Sequence, residues 1–356
     1  MLCRRIGYKN FRNIENSVIE PSNEITMLYG DNGEGKTNAL EAMYLFAQGR
    51  SFRAMRDKDL IKFGCDCAEL KLDFTDAKRD YSLMIRYLSN GRRVCKRNDA
   101  EISRMSEFIG YFRAVLFCPE HLSVVKSGPS VRRNFLDIAI SQLKPFYMYS
   151  LQRYNSILNQ RNSLIKNYYS APENFHKTVG VWSEQLAREA AIISSERVKY
   201  VEKLNGYAEK FLSDMTAGRE KCELVYNKPR TDAEYLALLT AAPEREIRAG
   251  ATLYGTHKDD IDITLCGKDA RNFASQGQQR SIALAMKLSE GEISREVSGE
   301  YPVFLLDDIL SELDLKRRGY LISGLNGRQV IMTSCETPVC AGKILYVKNG
   351  SYKEES

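Results

Sequence analysis

Gly30-Asp31-Asn32-Gly33-Glu34-Gly35-Lys36-Thr37 fits the spacing G-x-x-x-x-G-K-[ST]. Glycines at 30, 33 and 35 let the backbone curl until its N–H groups point inward at phosphate oxygens. A helix starting at Lys36 adds partial positive charge at its N-terminus. Lys36 is expected to reach the β- and γ-phosphates, and the Thr37 hydroxyl to ligate Mg²⁺. With Asn38 flanking the loop, the expected ligands are ATP and Mg²⁺. A second group lies far along the chain. Val303-Phe304-Leu305-Leu306 is an apolar run that ends in Asp307-Asp308. Asp307 is expected to hold Mg²⁺, directly or through water. Asp308 is expected beside the γ-phosphate, orienting or deprotonating the attacking water, a role worth about 10²–10⁴-fold in rate.

Elements must exist to position these residues. Ile25 to Tyr29 is a short apolar run ending at Gly30, which reads as a buried strand. Lys36 to Phe46 reads as a helix. Leu70, Leu72 and Phe74 alternate with polar residues as a half-buried strand does. Tyr81 to Tyr87 and a second strand near Val94 flank Asn90-Gly91, a hairpin turn signal. From Pro129 the pattern becomes helical, with Ser130 as the expected N-cap. Trp182, Leu186, Ala190, Ile193, Val201, Leu204, Ala208 and Phe211 share one helical face. Gly206 and Gly218 are expected to break that stretch. Strands return at Ile261 to Leu265, Val303 to Leu306 and Val330 to Thr333, with a helix over Gln276 to Leu288. The fold expected is α/β: a P-loop ATPase head assembled from both chain ends, 1–125 and 251–356, with a helical insert over 126–250.

Composition sets bounds. The chain has 356 residues, 43% hydrophobic and 28% charged, enough to bury a sizeable core. The net charge of +6 is mild, so a basic binding face would have to be local. Nine scattered cysteines, Cys340 among them, form no Cys-x-x-Cys pair, and His121, His176 and His257 are far apart. A structural zinc site is not expected, and the unpaired thiols fit a reducing cytosol. The first ten residues lack the apolar stretch of a signal peptide, and no run approaches the roughly 20 residues of a membrane span. A cytoplasmic chain without membrane contact is expected.

Ser275-Gln276-Gly277-Gln278-Gln279-Arg280 opens the helix before the Asp307 strand and resembles the signature of ABC-type ATPases, with Gln276 in place of a glycine. Ser311-Glu312-Leu313-Asp314 resembles their D-loop, and Val303 to Asp308 their Walker B strand. The resemblance implies that Ser275, Gly277 and Gln278 contact the γ-phosphate bound to a second copy, in an ATP-dependent homodimer. Further segments resemble the RecF family: Asn10-Phe11-Arg12, Ser51-Phe52-Arg53, Phe117-Cys118-Pro119-Glu120, Arg132-Arg133-Asn134-Phe135-Leu136-Asp137, Gln160-Arg161-Asn162 and Gly255-Thr256-His257-Lys258-Asp259-Asp260. Departures are Thr256 for proline, Lys258 for arginine and His121 where aspartate is frequent. No Q-loop glutamine is evident, and the strand at Val330 to Ser334 lacks a switch histidine, so slow hydrolysis is expected.

The resemblance implies recombinational gap repair. It implies a weak, DNA-stimulated ATPase that binds single- and double-stranded DNA and acts with RecR and RecO to promote RecA loading. A transporter motor subunit and a non-hydrolysing nucleotide-dependent scaffold are the alternatives. Arg53 is a candidate γ-phosphate or interface arginine. Arg92, Arg93, Lys96 and Arg97 of the hairpin, with Arg86 beside them, are candidate DNA contacts. Arg132 is either another DNA contact or the partner of an acid such as Asp137. His257 is either a core histidine or a neighbour of the active site.

Overall fold

The computed structural model describes residues 1–335 and 342–354; Cys340 lies outside them. The chain opens with β1 (Leu2–Phe11) and β2 (Ile14–Ile19), then β3 (Ile25–Tyr29) running into α1 (Lys36–Gln48). Next come β4 (Cys67–Thr75), β5 (Asp80–Leu88), β6 (Arg93–Arg97), β7 (Ala100–Ile102), the one-turn α2 (Met105–Phe108) and β8 (Ala114–Phe117). The helices α3 (Pro129–Leu143), α4 (Pro145–Lys166) and α5 (Pro172–Thr216) follow, then β9 (Cys222–Tyr226), α6 (Asp232–Ala241) and α7 (Pro243–Ala249). The chain continues through β10 (Ile261–Leu265), β11 (Lys268–Asp269), α8 (Ala270–Phe273), α9 (Gln276–Ser298) and β12 (Val303–Leu306). It closes with α10 (Leu315–Gly324), β13 (Val330–Ser334), β14 (Lys343–Lys348) and β15 (Ser351–Glu354).

The central sheet has the order β15-β14-β3-β13-β12-β8, and every pair is parallel except β14 with β15. Both chain ends therefore build one sheet. Strands buried on both faces need apolar residues throughout, which Ala114–Phe117 and Val303–Leu306 supply. Alternate side chains enter different cores. Leu116, Leu305 and Ile331 pack with α1 and the antiparallel sheet β2-β1-β4-β5-β6-β7. Phe117, Phe304, Leu306 and Met332 pack toward α9 and the helical unit.

Two expectations need correction, and one strand pairing could not be foreseen. The cap of α3 is Gly128 with Pro129 in the first turn, and Ser130 lies inside the helix; proline's fixed φ starts the helix two residues earlier. Gly206 does not interrupt α5, which runs unbroken for 45 residues. Its helix penalty of about 1 kcal/mol is outweighed by the apolar stripe from Leu186 to Leu212 packed against α4 and α9. Strand β10 pairs with β9 and β11 in a separate three-stranded sheet, not with the central sheet. Position 250 therefore falls between two paired strands.

Candidate nucleotide site

The glycine loop leaves β3 at the carboxyl end of the central sheet, where α/β folds place ligands. Gly30 has φ +155, and a Cβ there would lie 2.5 Å from the Val347 carbonyl oxygen of β14. Gly35 has φ +114, and its Cβ would meet the Asn13 side chain at 2.9 Å. Asn13, which sequence reasoning missed, braces the loop: its Nδ2 donates to the Gly33 carbonyl at 3.1 Å, and its Oδ1 accepts from Asn38 Nδ2 at 2.8 Å. Glu34 is tied to the β14–β15 turn, its carbonyl accepting from Gly350 N at 2.8 Å. Asn32 accepts from the Cys335 thiol at 2.9 Å. Lys36 curls back over the loop, donating to the carbonyls of Gly30 at 2.6 Å and Asp31 at 2.7 Å. An ammonium that donates to carbonyl oxygens can exchange them for phosphate oxygens.

Asp307 and Asp308 arrive at the same place because β13 lies between β3 and β12. Thr37 Oγ1 donates to Asp307 Oδ1 at 2.8 Å, and Thr333 Oγ1 donates to the same oxygen at 3.0 Å. Burial raises the Asp307 carboxyl above its ordinary range, while the two hydroxyls pull it down. A hydroxyl and a carboxylate 2.8 Å apart are hard oxygen donors that suit Mg²⁺ alongside phosphates. Asp308 sits at φ +48, the left-handed region that costs a non-glycine residue about 1–2 kcal/mol. Two contacts hold it there: its N–H donates to Thr333 Oγ1 at 2.9 Å, and its carbonyl accepts from Ser311 at 2.7 Å. The strain aims Asp308 into a cleft of about 160 Å³ shared with Lys36, Thr37, Arg53 and Thr333. Thr333 is the second residue missed. A threonine in a buried strand carries no sequence signal for this role.

The motifs Asn10-Phe11-Arg12 and Ser51-Phe52-Arg53 prove to be one device. Arg12 forks onto the fully buried Glu41 of α1, at 2.9 and 2.8 Å. Glu41 accepts from the Ser51 hydroxyl, whose oxygen in turn accepts from the N–H groups of Arg53 and Ala54 at 2.8 and 2.6 Å. Arg53 then reaches Asn38 Oδ1 at 3.0 Å, on the cleft wall.

Among the described residues, Ser275, Gly277 and Gln278 do not line that cleft. They form the capped N-terminal turn of α9. Ser275 caps α9 in a reciprocal box with Gln278, at 3.3 and 2.8 Å. A hydroxyl that accepts from Gln278 N keeps its proton to donate outward. The capped turn is tied to the D-loop residues: Arg280 donates to the Glu312 carbonyl at 2.7 Å and to its carboxylate at 3.0 Å.

The basic candidates separate. Arg132 is 5% exposed and forks onto Asp260 at 2.7 Å on both oxygens, so its expected DNA role is corrected. Its partner is Asp260; Asp137 is taken by Arg197 at 2.8 Å. Arg132→Ala is expected to cost about 3 kcal/mol in urea unfolding, by stranding Asp260, with no change in the salt dependence of DNA binding. In the hairpin, Arg93 is turned inward onto Asp57 at 2.6 Å, and Arg86 pairs with Glu69. Arg97 lies 4.6 Å over the Tyr111 ring. Arg92 is exposed and Lys96 half-exposed.

His257 belongs to the joint between the helical unit and the rest. Its Nδ1 lies 2.5 Å from Tyr154 Oη and its Nε2 3.1 Å from the Thr252 carbonyl. Burial holds its imidazole down at about 4, below the ordinary 6.5. Between those values the unfolded chain binds a proton that the folded chain refuses, so stability is full above about pH 6.5 and falls as pH drops toward about 4. Unfolding at about pH 7 and about pH 5 is expected to differ by about 1–2 kcal/mol from this residue, a difference that His257→Asn should remove.

Cradle, carboxylate pair and capped signature turn on one parallel sheet define a P-loop ATPase of the ABC/SMC-head class. The family model described as the RecF/RecN/SMC N terminal domain matches residues 2–346. The chain belongs to the RecF family: it is 39% identical to the DNA replication and repair protein RecF of Ruminiclostridium cellulolyticum, over 99% of this chain and 97% of that protein. RecF of Clostridium novyi is 37% identical over 94% of this chain and 92% of its own. A solved structure described as the recombination mediator protein RecF-ATP in the RecFOR pathway superposes with TM-score 0.91 at 33% identity, covering 99% of this chain and 97% of that one. One described as RecF-ATPrS gives 0.93 at 32%, covering 100% and 98%. An Smc head domain from Pyrococcus furiosus shares the fold, with TM-score 0.57 at 18% identity over 99% of this chain and 95% of that one. Among the described residues, no helix is long and apolar enough to cross a membrane.

Proposed function

We propose that this chain is an ATP-gated DNA-binding protein of recombinational gap repair, working as a homodimer with RecO and RecR to support RecA loading. The observation that carries the reading is the separation of the glycine loop from the Ser275 turn within one molecule. The glycine loop with Lys36 occupies one cleft, and the Ser275 turn lies outside it. A second copy presenting its Ser275 turn to this cleft completes the site. In that arrangement Lys36 and the loop N–H groups hold the triphosphate, Thr37 and Asp307 hold Mg²⁺, and Arg53 stands at the γ-phosphate side. Asp308 takes the proton of the attacking water. The bound Mg²⁺ neutralises phosphate charge. Hydrolysis removes the group that Ser275 grips, and the dimer opens. Membership of the RecF family displaces the transporter-motor alternative. The exposed Arg92 and the half-exposed Lys96 and Arg97 are the hairpin residues whose charge no carboxylate among the described residues takes up, and they are proposed to meet DNA phosphates.

Binding to gapped, single-stranded and blunt duplex DNA, each with ATP and with ADP, tests this. Tighter binding with ATP, falling steeply with salt, is expected. Equal affinity in the two nucleotide states would remove the gating.

A further inference from the structure

Arg317, in the first turn of α10, meets three groups on two elements. Its Nε donates to Ser281 Oγ at 2.8 Å and its Nη2 to the Gly277 carbonyl at 2.8 Å, both on α9. Its Nη1 pairs with the carboxylate of Asp314, the D-loop residue that caps α10. A second observation comes from Gly277 itself. A Cβ there would lie 3.1 Å from Arg317 Nη2, so the bare glycine is the surface on which the guanidinium rests. The side chain is only 25% exposed, which makes it a fixed strut.

We infer that Arg317 is a positioning residue that locks the Ser275 turn of α9 to the D-loop, so that the phosphate-facing turn and the segment following Asp308 move as one body. The inference rests on the dimer reading above for its consequence, but not for its local effect. Planar geometry is essential. A guanidinium reaches Gly277, Ser281 and Asp314 together, whereas a lysine ammonium is a point donor on a flexible stem. The lock also places a positive charge beside a helix N-terminus, where it favours an incoming anion and would otherwise oppose the helix dipole. Asp314 offsets that opposition.

Two readouts test the lock in full-length Arg317→Gln and Arg317→Lys, with Ser281→Ala as a milder second route. Amide exchange over residues 276–281 is expected to rise at least about ten-fold in both Arg317 variants and about two- to three-fold in Ser281→Ala. Added to Arg317→Gln, Ser281→Ala should contribute less than it does alone, because the Arg317 contact is already gone and only the Ser281 hydroxyl bond to the Gly277 carbonyl at 3.1 Å is left to lose. ATP affinity of the isolated chain, measured with a fluorescent ATP analogue at high dilution, should change less than about two-fold. The protein concentration needed for ATP-dependent dimerisation should rise at least about ten-fold. Unchanged exchange over 276–281 overturns the inference, whether or not the wild type dimerises. A loss of dimerisation that merely tracks a loss of ATP affinity also overturns it. If wild-type protein does not dimerise with ATP, the dimer reading fails, and the exchange result still decides the role of Arg317.

Discussion

Lys36→Ala is expected to lower ATP affinity at least about 100-fold, equivalent to about 3 kcal/mol for a lost charge-assisted contact, and with it to abolish ATP-dependent dimerisation. The reason is local. The ammonium is held by two backbone carbonyls of its own loop, at 2.6 and 2.7 Å, and reaches the Cys335 thiol at 3.4 Å. It is buried with only 7% exposure, in a cleft bounded by the loop N–H groups and Thr37. Removing it leaves the glycine cradle but withdraws the positive charge that the loop itself wraps. Folding should be little affected, because those carbonyls stay near the open cleft and water can replace the amine. Equilibrium binding of ATP together with sedimentation checks both halves. A variant that binds ATP normally, or that dimerises with it, contradicts the assignment of the loop.

Asp308→Asn has the opposite profile. Turnover is expected to fall about 10²–10⁴-fold, the range for loss of a positioned base, while ATP binding stays within a few-fold and the ATP-bound dimer becomes longer-lived. Asparagine is tolerated in the left-handed region nearly as well as aspartate, so the backbone at φ +48 survives the change. The contacts that hold it there, to Thr333 and Ser311, use its N–H and carbonyl and are untouched by the substitution. Single-turnover kinetics beside a binding isotherm separate the effects. Normal turnover in the variant would remove Asp308 as the base. Negligible turnover in the wild type, with or without DNA, would favour the scaffold alternative.

The parts of the site that were legible in the sequence are those where local spacing dictates local geometry. A glycine loop between an apolar run and a helix can be read directly, and so can two acids ending a buried strand. Ser275 with Gln278 three residues later is a capping box as a string of letters and as a structure. What was not legible depends on partners distant in sequence. Arg132 looks like a surface cation until Asp260, 128 residues away, closes on it. Asn13 and Thr333 are ordinary polar residues until the β1–β2 turn brings the first to Gly33 and the β3-β13-β12 order brings the second to Asp307. The kinship of Arg12 with Ser51 is written in neither motif; it runs through Glu41, which looks like any acid on a helix. Gly206 shows the converse, a residue whose local preference is overruled by the packing of its neighbours.

The central claim is that each nucleotide is gripped by two copies, the cradle from one and the Ser275 turn from the other. A structure of the ATP-bound protein tests it most directly. Ser275 Oγ should lie about 3 Å, a hydrogen-bond distance, from a γ-phosphate held by Lys36 of the opposite molecule. An ATP-bound assembly in which both Ser275 turns face solvent, far from any phosphate, would contradict it.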